Sequence, residues 1–219
     1  MKGQKKFFYN NFEKVIESKK RDEDIELVLL LDQAPSDDLM EINLAHEGVN
    51  LNLICLVLAK QNHKIPLNIK INHLARATAS QALIKGIAAD SAEITAKVVA
   101  RIAKGARAAK TKVIMKMLIA SPAARAKPIP ALEIEENEVE AGHAASVGRL
   151  EDDQLFYLMS RGLSEEQAKK LLIDGFIQDI FDKIQTPRLR EPLRKQVASI
   201  YSSSEAYWPS REVLDKLEQ

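Results

Sequence analysis

The sequence predicts a mainly β chain, a β-solenoid, followed by a small C-terminal helical domain with three helices. Three observations carry this. From Glu26 to about Ser146, short apolar runs recur at a pace of roughly one every 12 to 20 residues, too close for the crossover helices that βαβ units need. The inward positions of these runs are Leu, Ile, Val and Ala with few aromatics, which suits stacked coils around a narrow interior. Between Pro130 and Ala168 the alternating pattern gives way to capped helical sequence.

Taken in order, Phe7 to Glu17 sets Phe8, Phe12, Val15 and Ile16 at helical spacing, and the charged SKKRDED follows. One short amphipathic helix and a charged linker are expected over residues 1–22. The β-helix core is expected over 23–149, with runs at LVLLL (from Leu27), NLNLICLVL (Asn50), PLNIKINHL (Pro66), QALIKGIAAD (Gln81), EITAKVVARIAK (Glu93), KVIMKMLIA (Lys112) and ALEIEENEVEA (Ala131). Ala92 to Ala109 reads as strand. Ala, Lys and Arg also favour helix, and Ile94, Val98, Val99 and Ile102 fit its period.

A helical domain is expected over 150–201. Its first helix runs from Glu151 to Arg161 and ends at Gly162; Ser164 and Gln167 form a capping box at the start of the second. There Ala168, Leu172, Phe176, Ile180 and Ile184 make one apolar row, and Ile173, Ile177 and Phe181 a second beside it. Two rows are wider than one packing contact needs, so one can face the chain's own core and the other a partner. Pro187 ends this helix, and a third is expected from about Glu191 to Tyr201. Residues 202–219 read as a tail with a further helix from Ser210 and an aromatic anchor at Tyr207 and Trp208.

At 219 residues and 46% hydrophobic, the chain is long enough to bury a core. Its 32 Lys and Arg nearly balance 31 Asp and Glu, which removes the simple electrostatic case for a nucleic-acid or membrane-surface partner. Cys55 is the single cysteine, so no internal disulfide forms. No secretory signal or membrane span is legible, and the cytoplasm is the expected compartment.

Gly105 to Thr111, GARAAKT, lacks the second glycine of a phosphate loop and reads as a turn. His46, His63 and His73 read as surface or turn histidines. His143, flanked by Gly142, Ala144, Ala145 and Ser146 on the passage from strand to helix, reads as accessible, and an accessible imidazole coordinates metals or relays protons. Cys55 reads as a buried hydrophobe. The acids Glu133, Glu135, Glu136, Glu138 and Glu140 read as a solvated strand face, with Glu136, Glu138 and Glu140 on one side. That group is the only support for a second reading, a small β-helix enzyme acting on a polymer. A third is a purely structural homodimer without cluster chemistry.

PALEIEENEVEAGHAASVGRLEDDQLFYLMSRGLSEEQAKKLLIDGF, from Pro130 to Phe176, resembles the C-terminal signature of the SufB/SufD family, scaffold proteins of the SUF iron–sulfur cluster assembly system. The matching elements are Pro130 with Leu132-Glu133-Ile134, the His143 and Gly148 turn, Gln154 to Tyr157, Ser160-Arg161-Gly162, and Glu165 to Phe176. Met117 to Ile129 resembles the preceding coil. The resemblance is strong from about Met117 to Lys183 and extends loosely from about Glu41.

The resemblance implies a right-handed parallel β-helix and a non-enzymatic scaffold. It implies docking of a SufC-type ABC ATPase through the C-terminal helices, with Phe156, Tyr157, Arg161, Ile173, Ile177 and Phe181 as contacts. Pairing with a SufB-like subunit or with itself would run through the β-helix. No tightly bound cofactor is implied; a transient iron–sulfur cluster or iron at the subunit interface is, with His143 as the ligand. SufB-type members have His-Glu where this chain has His143-Ala144, and a sulfur-accepting cysteine near Ser121 to Arg125, where this chain has none. The first difference favours the SufD branch. Set against the resemblance, the sequence is shorter than usual members, and the larger N-terminal domain and several early coils are not expected within it.

Overall fold

The computed structural model describes residues 3–37 and 39–202. The expected tail features at Tyr207, Trp208 and Ser210 lie outside them. Among the described residues are eleven strands and three helices. The strands are β1 (Lys5–Tyr9), β2 (Val15–Glu17), β3 (Asp24–Leu31), β4 (Leu39–Leu44), β5 (Asn50–Ala59), β6 (Lys64–His73), β7 (Ala79–Ala88), β8 (Glu93–Ile102), β9 (Lys110–Ile119), β10 (Arg125–Ile134) and β11 (Glu140–Arg149). The helices are α1 (Asp152–Ser160), α2 (Glu165–Lys183) and α3 (Pro187–Ser202). Two compact units divide at Gly148 and Arg149.

The first unit is a parallel β-solenoid of about five turns. Odd strands stack in the order β1-β3-β5-β7-β9-β11, and even strands in the order β10-β8-β6-β4-β2. Asn50 pairs with Ala79, which pairs with Lys110, so successive coils are 29 and 31 residues long. Because side chains alternate in a strand, parallel register stacks like positions into columns. Leu29, Cys55, Ile84 and Met115 form one inward column, and Ile42, Ile71 and Ala100 another on the opposite sheet. Burying these columns between the sheets removes nearly all of their apolar surface from water, at ~25 cal/mol per Å². Ala92 to Ala109 is strand and turn, not helix: Val98 and Ala100 face the core, and β8 pairs along its whole length with β6.

At the corner that leads into β3, β5, β7 and β9, the chain passes through a left-handed residue two positions before the strand. Asp22, Gly48, Ala77 and Ala108 have φ of 52°, 73°, 53° and 58°. Their amides donate to the carbonyls of Glu47, Arg76, Arg107 and Glu138 in the next coil. The GARAAKT segment is one of these turns, as its sequence suggests.

The expected N-terminal helix is not formed. Residues 5–9 and 15–17 are strands pairing with β3 and β4. Phe12 and Ile16 are buried and Phe8 packs against the same core, while Val15 points out. A strand, a corner and a second strand thus place apolar residues at i, i+4 and i+8, the spacing of a helix face. Asn10 makes the corner, at φ 53°, and its side-chain oxygen accepts from the Asp32 amide at 2.8 Å. The open edges of β3 and β4 supply the backbone partners that decide for strand.

In the second unit, α1 ends at Arg161 and a left-handed Gly162 (φ 93°). Ser164 caps α2 with the full capping box: its hydroxyl accepts from the Gln167 amide, and Gln167 Oε1 accepts from the Ser164 amide. α3 starts four residues before the expected Glu191, at Pro187, because the first helical position needs no N–H donor and fits proline's fixed φ. Leu189, Leu193, Val197 and Ile200 form its buried stripe.

Candidate functional site

The solenoid's last coil is β10 and β11, the edge strands of the two sheets at one end. The β11 residues are almost all exposed. Residues 131–140 are not one strand: β10 stops at Ile134, a turn follows, and β11 starts at Glu140. The acids tie that turn down. Arg101 donates twice to Glu135 Oε1, at 2.9 and 2.7 Å, and Lys110 pairs with Glu140 at 2.7 Å. Glu136 Oε1 accepts from the Asn137 amide and Oε2 from the Gly105 amide, and these bonds hold its carboxyl below the usual range. The expected one-sided row Glu136, Glu138, Glu140 is not formed, since Glu136 and Glu138 sit in the turn. Holding the Glu136 carboxyl as the anion makes it a poorer general acid than a free carboxyl.

His143 lies within β11, not in a turn. The Glu140 amide donates to the Ala109 carbonyl in the pattern by which Lys110 donates to Thr78 and Ala79 to Val49. That pattern sets Glu140 opposite Lys110 and His143 opposite Val113, continuing the inward column Leu27, Leu53, Ala82, Val113. His143 therefore occupies a core column of the solenoid on the last strand of its sheet, beyond which no described strand pairs, and it is exposed. It lines a cavity of about 470 Å³ with Ser80, Thr111, Lys110, Glu140 and Ala141 among others.

The other histidines differ. His46 contacts the Ser18 hydroxyl at 3.1 Å and His63 the Asp32 carbonyl at 3.1 Å, both in turns. His73 corrects the expectation of a surface residue: it ends β6, fully buried, and burial pushes its imidazole down to about 4. Its Nδ1 lies 2.8 Å from Thr78 Oγ1 and its Nε2 2.9 Å from Ser80 Oγ, which lies 2.7 Å from Thr111 Oγ1. Sequence spacing gives no sign of this polar group, because its members lie on three strands and a turn. Cys55 is buried as expected, and burial pushes its thiol up to about 12. Among the described residues no three His, Cys, Asp or Glu side chains are grouped as a metal site.

In the helical unit, Phe156, Tyr157 and Met159 are 74%, 56% and 43% exposed, and α1 buries no residue. Arg161 places its guanidinium 5.3 Å from the centre of the Tyr157 ring. Ile173, Ile177 and Phe181 are buried, so the second row of α2 is core and offers no free surface. Among the described residues no helix is long and apolar enough to cross a membrane.

A two-sheet parallel solenoid with a histidine in the core column of its open end, followed by a three-helix unit, is the class of molecule these features define. The chain belongs to the SufBD family: the model for the SUF system FeS cluster assembly SufBD core domain matches residues 30–176. The match begins earlier than the resemblance legible from about Glu41. Over 158 residues the chain is 33% identical to the iron–sulfur cluster assembly protein SufD of Bacillus subtilis, covering 72% of this chain and 35% of that protein. Over 77 residues it is 52% identical to an iron–sulfur cluster assembly SufBD family protein of Mycobacterium leprae, covering 35% of this chain and 20% of that protein. A SufBD family protein of Mycobacterium tuberculosis is 33% identical over 111 residues, covering 51% of this chain and 13% of its own length. The chain thus spans about a third or less of the length of these relatives.

Proposed function

We infer that this chain serves iron–sulfur cluster assembly as a SufD-like, non-enzymatic scaffold subunit in the cytoplasm. Its solenoid pairs through the open end with a SufB-like subunit or a second copy, and a transient cluster or iron is the cargo at that junction. The observation that carries this reading is the position of His143. A core column that ends in an exposed imidazole gives one nitrogen ligand and leaves the remaining ligands to whatever continues the stack. The helical unit docks a SufC-type ATPase through α1. Its exposed Phe156 and Tyr157, with Arg161 beside them, have the composition of an interface centre.

Two measurements test this. Iron and sulfide are determined after anaerobic reconstitution with SufB-like and SufC-like partners. His143→Ala is expected to lower cluster yield severalfold, and an unchanged yield removes its role as ligand. Phe156→Glu, a change on a surface that buries nothing, is expected to abolish capture by the ATPase; undiminished capture sinks the docking face. Variants of Ile177 or Phe181 do not serve here, because a buried charge would unfold the unit.

A further inference from the structure

Among the buried polar residues of the solenoid, His73, Thr78, Ser80 and Thr111 are linked into one hydrogen-bonded chain. A buried polar group left without a partner is costly, so the order of protons along the chain is constrained. Thr78 donates its hydroxyl proton to the Ala75 carbonyl, which can only accept. Thr78 Oγ1 therefore accepts from His73 Nδ1–H. In the neutral ring Nε2 is then the acceptor, and it takes the Ser80 proton. Ser80 Oγ in turn takes the proton of Thr111. Every proton in the chain points inward, and Thr111 offers the cavity only lone pairs.

The cavity lining decides which donor answers. Lys110 gives its ammonium to Glu140, and Gln81 and Lys112 stand in the outward column. Ala141, Gly142 and Ala144 carry no side-chain donor. His143 remains, in the inward column one strand beyond Thr111 and two residues along.

We propose that Thr111 is a positioning residue for His143: it accepts an N–H of the imidazole, directly or across one water, fixing the ring's tautomer and orientation and leaving the other nitrogen's lone pair for a ligand. The proposal rests on the reading of His143 as a ligand. It makes the solenoid interior the support behind that ligand, as an acceptor behind a metal-binding histidine commonly is. The proton order of the chain depends on His73, so a residue two coils' depth from the open end sets what the end can bind.

The test is the tautomer of His143, read by long-range ¹⁵N NMR on the full chain. One hydrogen bond biases the wild-type tautomers roughly 10-fold. Thr111→Val is expected to bring the ratio to that of a free imidazole, and Thr111→Ser to restore it. Ser80→Ala releases the Thr111 proton to the cavity and is expected to invert the preference. A His143 tautomer ratio equal in wild type, Thr111→Val and Ser80→Ala overturns the positioning role. If the ratios behave as expected while His143→Ala leaves cluster yield unchanged, the positioning chain stands and the ligand role falls.

Discussion

Pro128 and Pro130 stand two residues apart in β10, and both face their missing N–H to its free edge. The Arg125 and Glu135 amides donate to β8, so odd-numbered donors of β10 are paired and even-numbered positions lie outward. Proline is tolerated there because no ladder bond is lost, and it blunts the edge against further pairing. In β11 the Glu140 amide donates inward, which leaves Ala141, His143, Ala145, Val147 and Arg149 with donors on an edge free of proline. The two edges of the open end are thus unequal, and a partner strand is expected on β11. Ala145→Pro removes a free-edge donor without touching the bonds to β9. It should weaken pairing at least tenfold in analytical ultracentrifugation with an unchanged far-UV spectrum. Association at wild-type strength would place the junction elsewhere.

The left-handed corners give a stability prediction with two signs. A Cβ on Gly48 would lie 2.0 Å from Asp22 Oδ1, at a φ of 73° that disfavours any side chain. Gly48→Ala is expected to cost more than about 1 kcal/mol in urea unfolding. Ala77 and Ala108 occupy the equivalent corner with φ of 53° and 58° and already carry that strain. Ala77→Gly and Ala108→Gly are each expected to stabilise by about 0.5 kcal/mol, the relief of strain less the entropy of the freer unfolded chain. A loss on both would show that the corner tolerates Cβ without cost.

Cys55 reports on global unfolding. Its thiol, buried in the column Leu29, Cys55, Ile84 and pushed up to about 12, supplies almost no thiolate and no access at neutral pH. Alkylation by iodoacetamide is expected only through unfolding, at a rate that rises with urea along the unfolding limb. Rapid stoichiometric labelling in native buffer would contradict this burial.

The solenoid was legible because its signal is periodic and local: runs such as NLNLICLVL and KVIMKMLIA each show one coil's alternation, and their recurrence shows the stacking. The capping box at Ser164 and the stop at Gly162 were legible for the same reason. The first coil was not, since Phe8, Phe12 and Ile16 reproduce helix spacing through a corner. Nor was the choice between the rows of α2, because Ile173, Ile177 and Phe181 are as apolar as an interface and only packing decides that they are core. The polar chain joins His73, Thr78 and Ser80 to Thr111, and the 31 residues between Ser80 and Thr111 are brought together only by the coil length.

The two units should respond to pH in opposite directions. In the solenoid, burial holds the His73 imidazole near 4, against an ordinary 6.5. Between these values the unfolded chain binds a proton that the fold refuses, so this contribution is intact above about 6.5 and is lost as the pH falls towards 4. In α2, burial raises the Asp174 carboxyl to about 7 from 3.8, with Lys170 opposing, and its Oδ1 is buried without a hydrogen-bond partner. Here the fold holds a proton that the unfolded chain releases, so the contribution is intact below about 4 and is lost as the pH rises through 7. Hydrogen exchange, corrected for its intrinsic pH dependence, is expected to show protection in β6 and β7 rising from pH 4.5 to 6.5 while protection in α2 falls. Asp174→Asn should flatten the α2 trend alone and raise its stability at pH 8, since a neutral amide carries no charge to desolvate. A parallel rise in both units, or an α2 trend that survives Asp174→Asn, would assign the pH dependence to other groups.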